Sequence, residues 1–270
     1  MLLSIIIPCY NEDQTILPLL YEIYSISLAV DFEIIIIDDG SEHPTEEIIS
    51  EFLKRHPNCK LYRHRHNRGK GSAIRTGIKK AMGDYILIQD ADMEYSPLDI
   101  PSLLMPAIKF KAPIVYGSRF MNGNKNYNRV HLIANRVLTI LTNLLLKTRL
   151  TDMETGYKLI SKNVFLKFSI SGESFEIEPE ITLKSVLAGY KIVEVPIRYN
   201  HRIKGKAKIN PTDGLEAMLY LIINRFFSKS TIMQGLYRAF KFGMKEPLTI
   251  LMRKFFYRFM YKGSMKERRS

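Results

Sequence analysis

The sequence predicts an α/β fold built on a mainly parallel, doubly wound sheet. Over the first two-thirds of the 270 residues, short apolar runs alternate with helical patterns. These runs are rich in Ile and lack polar alternation, which is typical of parallel strands that helices cover on both faces. The 46% hydrophobic content is enough for one full core. A basic, aromatic carboxyl end predicts a C-terminal amphipathic helical appendage.

Five strands are predicted before residue 119, each bounded by polar or turn residues. They are LSIIIPCY, FEIIIIDD, CKLYRH, DYILIQD and APIVYGS. Helices are expected between them, beginning near Thr15, Thr45, Gly71 and Ser96. Thr45 is expected as an N-cap, since two glutamates follow it and an apolar face comes next.

Further along, the pattern predicts a long helix, about 130–147, followed by a short strand in TDMETGYKLIS. A helix ending at Gly189, a strand in KIVEVPIRY and a helix over about 212–227 complete the series. The predicted organisation is therefore one α/β domain over 1–227 and a helical tail over 228–270.

The bulk features exclude several classes of protein. The two cysteines, Cys9 and Cys59, form no CxxC pair, which favours a reduced, intracellular setting. The first residues read as a strand and not as a signal peptide. No run of 18 apolar residues occurs, so we expect no transmembrane span.

The predicted strands end on polar motifs, namely PCYNE, DDGS, DAD and GSR. In α/β sheets, ligands bind beyond the carboxyl ends of the strands. Asp90 and Asp92 repel each other there, and a divalent cation such as Mg²⁺ would remove that repulsion. We expect Asp92 to meet the metal directly, Asp90 to reach it through water or to contact a sugar, and Glu94 to join Asp92. The alternative is an acidic loop that caps the next helix.

The ordered motifs IIIPCYNE, IIIIDDGS, NRGKGSA and GDYILIQDAD resemble those of the inverting family-2 nucleotide-sugar transferases with the GT-A fold. The later motifs GSRF, TDMETGYKLI, FEIEPEI, GYKIVEVPIRY and RIKGKAKI are similar to the dolichyl- or polyprenyl-phosphate mannose and glucose synthases. This resemblance covers about residues 1–227. It implies a nucleotide-diphosphate sugar, Mg²⁺ or Mn²⁺, and a polyprenyl or dolichyl phosphate acceptor.

The resemblance also implies a set of donor-binding residues at the strand ends. Tyr10 would stack on the base or ribose, Glu12 would accept from ribose hydroxyls, and Asp39 would bind base or ribose edges. Lys70 would approach phosphate at a helix N-terminus. The full set is Pro8, Tyr10, Glu12, Ile37, Asp39, Lys70, Asp90, Ala91 and Asp92. Neither a Walker A motif nor GxGxxG is present, which disfavours P-loop and dinucleotide folds.

The acceptor side is predicted to carry cations. A phosphate acceptor is already ionised and needs no general base, whereas it does need positive charge beside an anionic donor. The cations that the sequence offers for the acceptor phosphate are Arg119, Arg129, Arg202, Lys206 and Lys208. Of these, Arg119, Arg202 and Lys208 match phosphate-contacting positions of the family that the chain resembles, whereas the loop before Arg129 can be aligned in more than one way. Arg119 and Arg202 join Asp90 and Asp92 as the predicted catalytic set. Two departures leave the donor open: Glu94 stands where the family often has Gln, and Ala207 where the mannose-transferring branch usually has Ser.

The last forty residues, 231–270, hold ten Lys/Arg, two Glu and eight Phe/Tyr within a chain of net charge +13. Apolar residues recur there at helical spacing with basic residues off the stripe, which predicts helices lying on an anionic membrane surface. The alternative is a helix packed on the catalytic domain or on a partner subunit. We expect a peripheral location on the cytoplasmic face of the membrane.

The sequence therefore predicts transfer of a hexose, from GDP-mannose or a UDP-glucose type of donor, to a polyprenyl phosphate with inversion. The first alternative is transfer to a hydroxyl of a glycan or glycolipid, with Glu178 or Glu180 as general base. The second is a non-catalytic basic protein that binds membranes or nucleic acid. Acidic strand ends would repel phosphate without a metal, so we expect no nucleic-acid partner. A membrane partner subunit stays possible at this point.

Overall fold

The computed structural model describes residues 1–121, 129–174, 176–200 and 211–227, with Gly235 and Tyr237. The chain divides into two compact units, Met1–Lys206 and Ala207–Ser270. The first unit holds the sheet and its covering helices. Most of the second lies outside the described residues, so the boundary at 227 and the membrane-binding tail stay predictions.

Among the described residues, seven strands form one sheet, and all seven were predicted. They are β1 (Leu2–Cys9), β2 (Asp31–Asp38), β3 (Cys59–Arg63), β4 (Tyr85–Ile88), β5 (Ile114–Ser118), β6 (Lys158–Ser161) and β7 (Val193–Pro196). Their order across the sheet is β3-β2-β1-β4-β6-β5-β7. Only β6 is antiparallel to its neighbours, β4 and β5. The predicted mainly parallel sheet is confirmed.

Eight helices accompany these strands in the part of the chain that the structure describes, and the last of them follows β7. They are α1 (Ile16–Ser25), α2 (Thr45–Arg55), α3 (Lys70–Lys80), α4 (Ile100–Phe110), α5 (Arg129–Leu146), α6 (Lys162–Lys167), α7 (Ile177–Leu187) and α8 (Pro211–Phe226). The six-residue α6 was not predicted. A 3-10 turn over Pro97–Asp99 leads into α4, and Ser96 caps this turn by accepting the Leu98 N–H. None of these helices has the length and hydropathy of a membrane span.

Helices cover both faces of the sheet, as the Ile-rich strands predict. On one face, Ile5 and Ile7 of β1 join an apolar cluster that includes residues of α1, α2 and α4. On the other face, Ile6 joins residues of α3, α6 and α7. Neighbouring β1 positions thus serve opposite layers, because successive strand side chains point to opposite faces. This burial on both sides confirms the doubly wound architecture.

The start of α2 differs from the prediction. Thr45 is its first helical residue and makes no cap hydrogen bond, and Pro44 occupies the cap position. The carboxylate of Asp38 instead accepts the N–H of Thr45 at 3.2 Å and that of Ser41 at 2.8 Å. A carboxylate is favourable at this positive end of a helix dipole. The capping role predicted for Thr45 therefore belongs to Asp38, which the end of β2 delivers.

The reversed direction of β6 has a consequence for the site. The parallel strands all finish at one edge of the sheet, whereas β6 begins there. The chain before β6, residues 152–157, consequently reaches the same edge as the loops that follow β1, β2, β4 and β5. Nothing in the short KLIS run predicts this, because its apolar pattern is the same in either direction.

Candidate active site

Four polar loops meet at the carboxyl edge of the sheet. In the register of β1 and β2, Pro8 lies opposite Ile37, and Cys9 lies opposite Asp38. Tyr10 follows β1 and is half-buried. The structure therefore brings the predicted donor residues of β1 and β2 together at one corner of the edge.

Glu12 lies at the base of this corner and is 8% exposed. Its carbonyl accepts the N–H groups of Thr15 and Ile16 at the start of α1, and its carboxylate accepts the Thr15 hydroxyl at 3.2 Å. Glu12 thus supports the entry to α1. Its predicted contact with ribose hydroxyls stays a prediction.

The loop after β4 carries the two aspartates that open the question of a metal. Ala91 is buried between them, Asp92 is 9% exposed, and the Asp92 Oδ1 accepts the N–H of Glu94 at 3.1 Å. Met93 has a φ of 61°, a left-handed conformation that is rare and costly for a residue other than Gly. The strained turn fixes the direction of the Asp92 carboxylate.

Lys70, the first residue of α3, lies directly beside Asp90. Its Nζ is 2.7 Å from Oδ1 of Asp90 and 3.2 Å from Oε1 of Glu178. Burial would lower the pKa of Lys70, but the two carboxylates outweigh it and raise that pKa. Burial raises the pKa of Asp90, Lys70 opposes that shift, and Asp92 adds to it. Lys70 is thus a counter-charge within the acidic loop, and its predicted contact with phosphate stays a prediction.

Among the described residues, the acidic loop holds no preformed group of three metal ligands. Within the described residues, no three His, Cys, Asp or Glu side chains are grouped so as to hold a metal ion. The Glu94 carboxylate accepts the Tyr199 hydroxyl at 2.7 Å. Asp90, Asp92 and Glu94 therefore do not make a preformed three-carboxylate cluster. Two adjacent carboxylates still fit Mg²⁺ or Mn²⁺, because such ions commonly take one or two carboxylates and complete their shell with substrate phosphates.

Asp39 is fully engaged by the protein. Its Oδ1 lies 2.6 Å from Nδ1 of His64, and its carboxylate accepts the N–H groups of Arg68 and Gly69 at 2.7–3.1 Å. The residue is 3% exposed. These bonds hold the turn that leads into α3 and so position Lys70. The sequence assigned Asp39 to the base or ribose and did not single out His64.

At two positions near the site, a neighbouring group lies so close to the backbone that only glycine fits. A Cβ added at Gly156 would lie 2.5 Å from Oδ2 of Asp90, and Gly156 also donates its N–H to the Tyr95 hydroxyl. Gly69 has a φ of +87°, and a Cβ there would lie 2.2 Å from the carbonyl oxygen of Glu173. Both positions exclude a side chain, because backbone or a charged group already fills the space.

Arg119 follows β5 and is held by a partner that the sequence did not reveal. Its Nε and Nη2 donate to the two carboxylate oxygens of Asp152 at 2.6 and 2.7 Å. The Asp152 side chain has no solvent exposure, and the guanidinium also lies 5.5 Å from the Tyr199 ring centre. A bidentate pair of this kind fixes the plane of the guanidinium. The predicted phosphate-binding arginine is therefore rigidly oriented at the edge.

A buried ion-pair network continues inward from Lys70. Glu178 of α7 pairs with Lys70 and with Lys158, which begins β6 and has no exposed side-chain surface. The Lys158 ammonium also donates to the carbonyl groups of Met153 and Thr155, so it holds the loop before β6. The motifs TDMETGYK and EPEIT contain these residues, but their sequence alone does not show which charged side chains pair.

Both carboxylates proposed as general bases are engaged elsewhere. Burial raises the pKa of Glu178, but Lys158 and Lys70 outweigh it and hold that pKa below its usual value. Burial also raises the pKa of Glu180, but the hydrogen bonds from Lys184 and from backbone N–H groups outweigh burial and lower that pKa. A carboxylate with a lowered pKa is a weak base. The geometry therefore does not favour the hydroxyl-acceptor alternative.

Glu154 is the exceptional carboxyl group of this edge. Its Oε1 is buried and meets no hydrogen-bond donor in the described part of the chain. Burial raises the pKa of Glu154 to about 7, with Lys158 opposing the shift and Glu178 adding to it. Glu154 therefore changes charge in the neutral range, and the sequence did not single it out.

We expect this titration to appear in the stability of the protein. Between the usual carboxyl pKa and about 7 the folded state binds more protons than the unfolded one, so stability falls as pH rises through that window. Since the side chain is only half-buried, we expect a loss of about 1–2 kcal/mol. Glu154→Gln removes the group. Urea unfolding at pH 5 and pH 8 should show a smaller fall in the variant, and an unchanged fall would contradict the assignment.

The remaining predicted site residues lie at the edge of the described residues or outside them. Arg129 is the first residue of α5, and its side chain is outside the described part. Arg202, Lys206 and Lys208 belong to residues 201–210, which are outside it as well. Their acceptor-phosphate roles stay predictions.

Comparison with known proteins agrees with the sheet and its loops. Residues 4–168 match the family model described as glycosyl transferase family 2. A dolichol-phosphate mannosyltransferase of Pyrococcus furiosus is 32% identical over 213 residues, which are 77% of this chain and 59% of that protein. A dolichol-phosphate mannosyltransferase of Mycosarcoma maydis is 27% identical over 228 residues, 81% of this chain and 76% of that protein. The matched part thus spans less than two-thirds of the Pyrococcus protein.

A solved structure gives the same answer for the fold. Glucosyl-3-phosphoglycerate synthase of Mycobacterium tuberculosis, in complex with Mn²⁺, UDP and phosphoglyceric acid, superposes with a TM-score of 0.61 at 18% identity. The superposition covers 83% of this chain and 78% of that one. At this identity the likeness concerns the fold alone, and it confirms the predicted GT-A type of sheet.

Proposed function

The chain belongs to glycosyl transferase family 2, and from this premise we propose that it transfers a hexose from a nucleotide-diphosphate sugar to a polyprenyl or dolichyl phosphate with inversion. One observation carries the proposal. The acidic pair Asp90 and Asp92 lies at the same sheet edge as Arg119, which Asp152 orients. One edge of the sheet thus offers carboxylates for a metal ion and a guanidinium for a phosphate. Family membership also favours a transferase over the non-catalytic alternative.

The donor would be held at the corner formed by β1, β2 and β4. Tyr10 would contact the nucleoside, and Asp39 would act indirectly by fixing the 68–69 turn beside it. Asp92, supported by Asp90, would hold Mg²⁺ or Mn²⁺, which when bound neutralises charge on the diphosphate. Lys70 offsets part of the negative charge of this loop by pairing with Asp90.

The acceptor phosphate would be held by Arg119 and by cations of residues 201–210. One of its oxygens attacks the anomeric carbon from the face opposite the diphosphate. The new carbon–oxygen bond forms as the bond to the diphosphate breaks, and the diphosphate departs with the electron pair. No proton needs to be removed, since the acceptor oxygen is already ionised. This agrees with the lowered pKa of Glu178 and Glu180, which makes both poor bases.

The relatives support the lipid acceptor. Two of them are named dolichol-phosphate mannosyltransferases, whereas the structural neighbour was solved with UDP and Mn²⁺. We therefore propose a GDP-mannose or UDP-glucose type of donor. A lipid acceptor would require the protein to act at a membrane surface, and we propose the cytoplasmic face. The basic tail over 228–270 or a membrane partner subunit would be the anchor.

A transfer assay tests the proposal. The full chain is supplied with Mn²⁺ or Mg²⁺, a panel of labelled nucleotide sugars, and either a polyprenyl phosphate or the matching polyprenol. We expect label in the lipid phosphate only, sensitive to EDTA, with the anomeric configuration inverted by NMR. Label in the polyprenol instead would overturn the phosphate acceptor. Absence of transfer from every donor to both lipids would overturn the proposed activity.

A further inference from the structure

The loop before β6 connects the two parts of the candidate active site. At its start, Asp152 orients Arg119 through two side-chain hydrogen bonds of 2.6 and 2.7 Å. At its end, Gly156 lies against Asp90, since a Cβ added there would be 2.5 Å from the Asp90 Oδ2. Glu154 is the midpoint of this connection, two residues from either end. It therefore lies between the arginine proposed for the acceptor phosphate and the acidic pair proposed for the metal.

The backbone on both sides of Glu154 is held in place. The buried Lys158 ammonium donates to the carbonyl oxygens of Met153 and Thr155, the two residues next to Glu154 in the chain. The N–H of Met153 also donates to the Thr139 hydroxyl at 3.2 Å. Because both neighbours are fixed, the loop presents the Glu154 carboxyl group from a rigid support, as a precise substrate contact requires.

The Glu154 carboxyl group contains an acceptor atom that lacks a donor. Its Oε1 is buried, and no described residue donates a hydrogen bond to it. The neighbouring carboxylates are engaged, Asp152 by Arg119 and Glu178 by two lysines. Burial raises the pKa of Glu154 to about 7, as expected for a carboxylate that is short of donors. Buried acceptors in proteins normally have a partner, so an open one at this edge indicates a donor that a ligand supplies.

The proposed reaction puts a hexose at this place. The attacking phosphate oxygen and the departing diphosphate lie on opposite sides of the anomeric carbon. The sugar ring would therefore lie between Arg119 and the pair Asp90 and Asp92. A carboxylate repels both phosphate groups, whereas it accepts hydrogen bonds from neutral hydroxyl groups. The hexose is thus the part of the two substrates that supplies the donors Glu154 lacks.

We propose that the Glu154 Oε1 accepts a hydrogen bond from a hydroxyl group of the hexose and so holds and selects the transferred sugar. The inference rests on the proposed function, because it takes a nucleotide sugar as the ligand of this edge. A contact of this kind discriminates between sugars, since an analogue that lacks the hydroxyl group leaves the buried oxygen unpaired. Binding of the sugar can be measured without any transfer.

Nucleotides with and without their sugar isolate this contact. The full chain with Mn²⁺ is titrated calorimetrically with GDP and GDP-mannose, and with UDP and UDP-glucose. Glu154→Leu removes the acceptor, and Glu154→Gln keeps one oxygen that can still accept a hydrogen bond. The control Glu51→Leu removes a carboxylate at an exposed position of α2.

We expect Glu154→Leu to weaken binding of the nucleotide sugar about 10- to 100-fold, the range of one hydrogen bond to a charged group, and not to weaken binding of the nucleoside diphosphate. Glu154→Gln should lose less, and Glu51→Leu should bind as the parent does. An equal loss for both ligands would assign Glu154 to the support of the site, and unchanged sugar-nucleotide binding would show that no hydroxyl group meets it. Either result overturns the inference.

The same titrations separate this inference from the proposed function. If the parent binds none of the four nucleotides, the proposed function and the inference both fail. If the parent binds a nucleotide sugar and Glu154→Leu loses that binding selectively, the inference stands even where no transfer to a polyprenyl phosphate is found. The nucleoside diphosphate also reports that the variant is folded.

Deoxy sugars identify the hydroxyl group. The donor that the parent binds is prepared without one hydroxyl group of the hexose at a time, and each analogue is titrated into the parent and into Glu154→Leu. One analogue should bind the parent about 10- to 100-fold more weakly than the complete donor and lose nothing further in Glu154→Leu, because one hydrogen bond cannot be lost twice. Additive losses for every analogue would contradict the proposal.

Discussion

Asp92→Asn is expected to lower kcat/KM for hexose transfer by about 10²–10³-fold, as the loss of one preorganised charge-stabilising group does in other active sites. Asn keeps the size of the side chain and the oxygen that accepts the Glu94 N–H. It removes the negative charge that a divalent cation needs. The effect should therefore appear as weakened Mg²⁺ or Mn²⁺ dependence and weakened donor binding, with the fold intact.

Steady-state kinetics at several metal concentrations measure this effect, with unfolding by urea as a check on the fold. Asp31→Asn is a matched control, because Asp31 is exposed at the amino end of β2, whereas the site lies beyond the carboxyl ends of the strands. The control should keep parental activity. If Asp92→Asn also keeps its kcat/KM and its metal dependence, the acidic loop is not the metal-binding element of this chain.

The sheet could be predicted because its strands carry redundant signals. In β1 and β2, uninterrupted Ile runs are bounded by polar residues, and both faces are buried as expected. Strand β6 shows the limit of such reasoning. Four residues, KLIS, give no direction, so its antiparallel insertion between β4 and β5 follows only from tertiary pairing.

The candidate site divides in the same way. Because parallel strands end together, the sequence was enough to place four residues at one edge, namely Tyr10, Asp39, Asp90 and Arg119. The hydrogen-bond and ion-pair partners of these residues could not be predicted from the sequence. Asp152 comes from the loop before β6, whose direction was not predictable.

Lys158 is the clearest failure of sequence reasoning. A lysine that opens a strand is ordinarily exposed, yet its side chain has no solvent contact. The sequence offered Glu178 only as a general base for the hydroxyl-acceptor alternative. Its pairing with two lysines makes it a structural group instead, because a doubly paired carboxylate has little basicity left to use.

Glu178→Gln is expected to destabilise the protein by about 3–5 kcal/mol, the usual cost of removing one partner from a buried ion pair. Gln keeps the volume, so the effect is electrostatic. Lys70 retains Asp90, but Lys158 would lose its ion-pair partner and stay buried among backbone carbonyl groups. Urea unfolding at pH 7 measures the loss, and Glu51→Gln, which breaks an exposed pair with Lys54, should leave the stability close to that of the parent.

The double variant Glu178→Leu/Lys158→Met distinguishes the net contribution of the ion pair to stability from the cost of leaving one partner unpaired. Replacing a buried ion pair by apolar groups of similar size is often neutral or stabilising, because both desolvation costs disappear together. We therefore expect the double variant to be more stable than Glu178→Gln. If its stability falls below that of Glu178→Gln, the network is stabilised by contacts other than charge pairing, such as the bonds from Lys158 to Met153 and Thr155. In that case the ammonium group holds the loop before β6, and with it Asp152 and the orientation of Arg119.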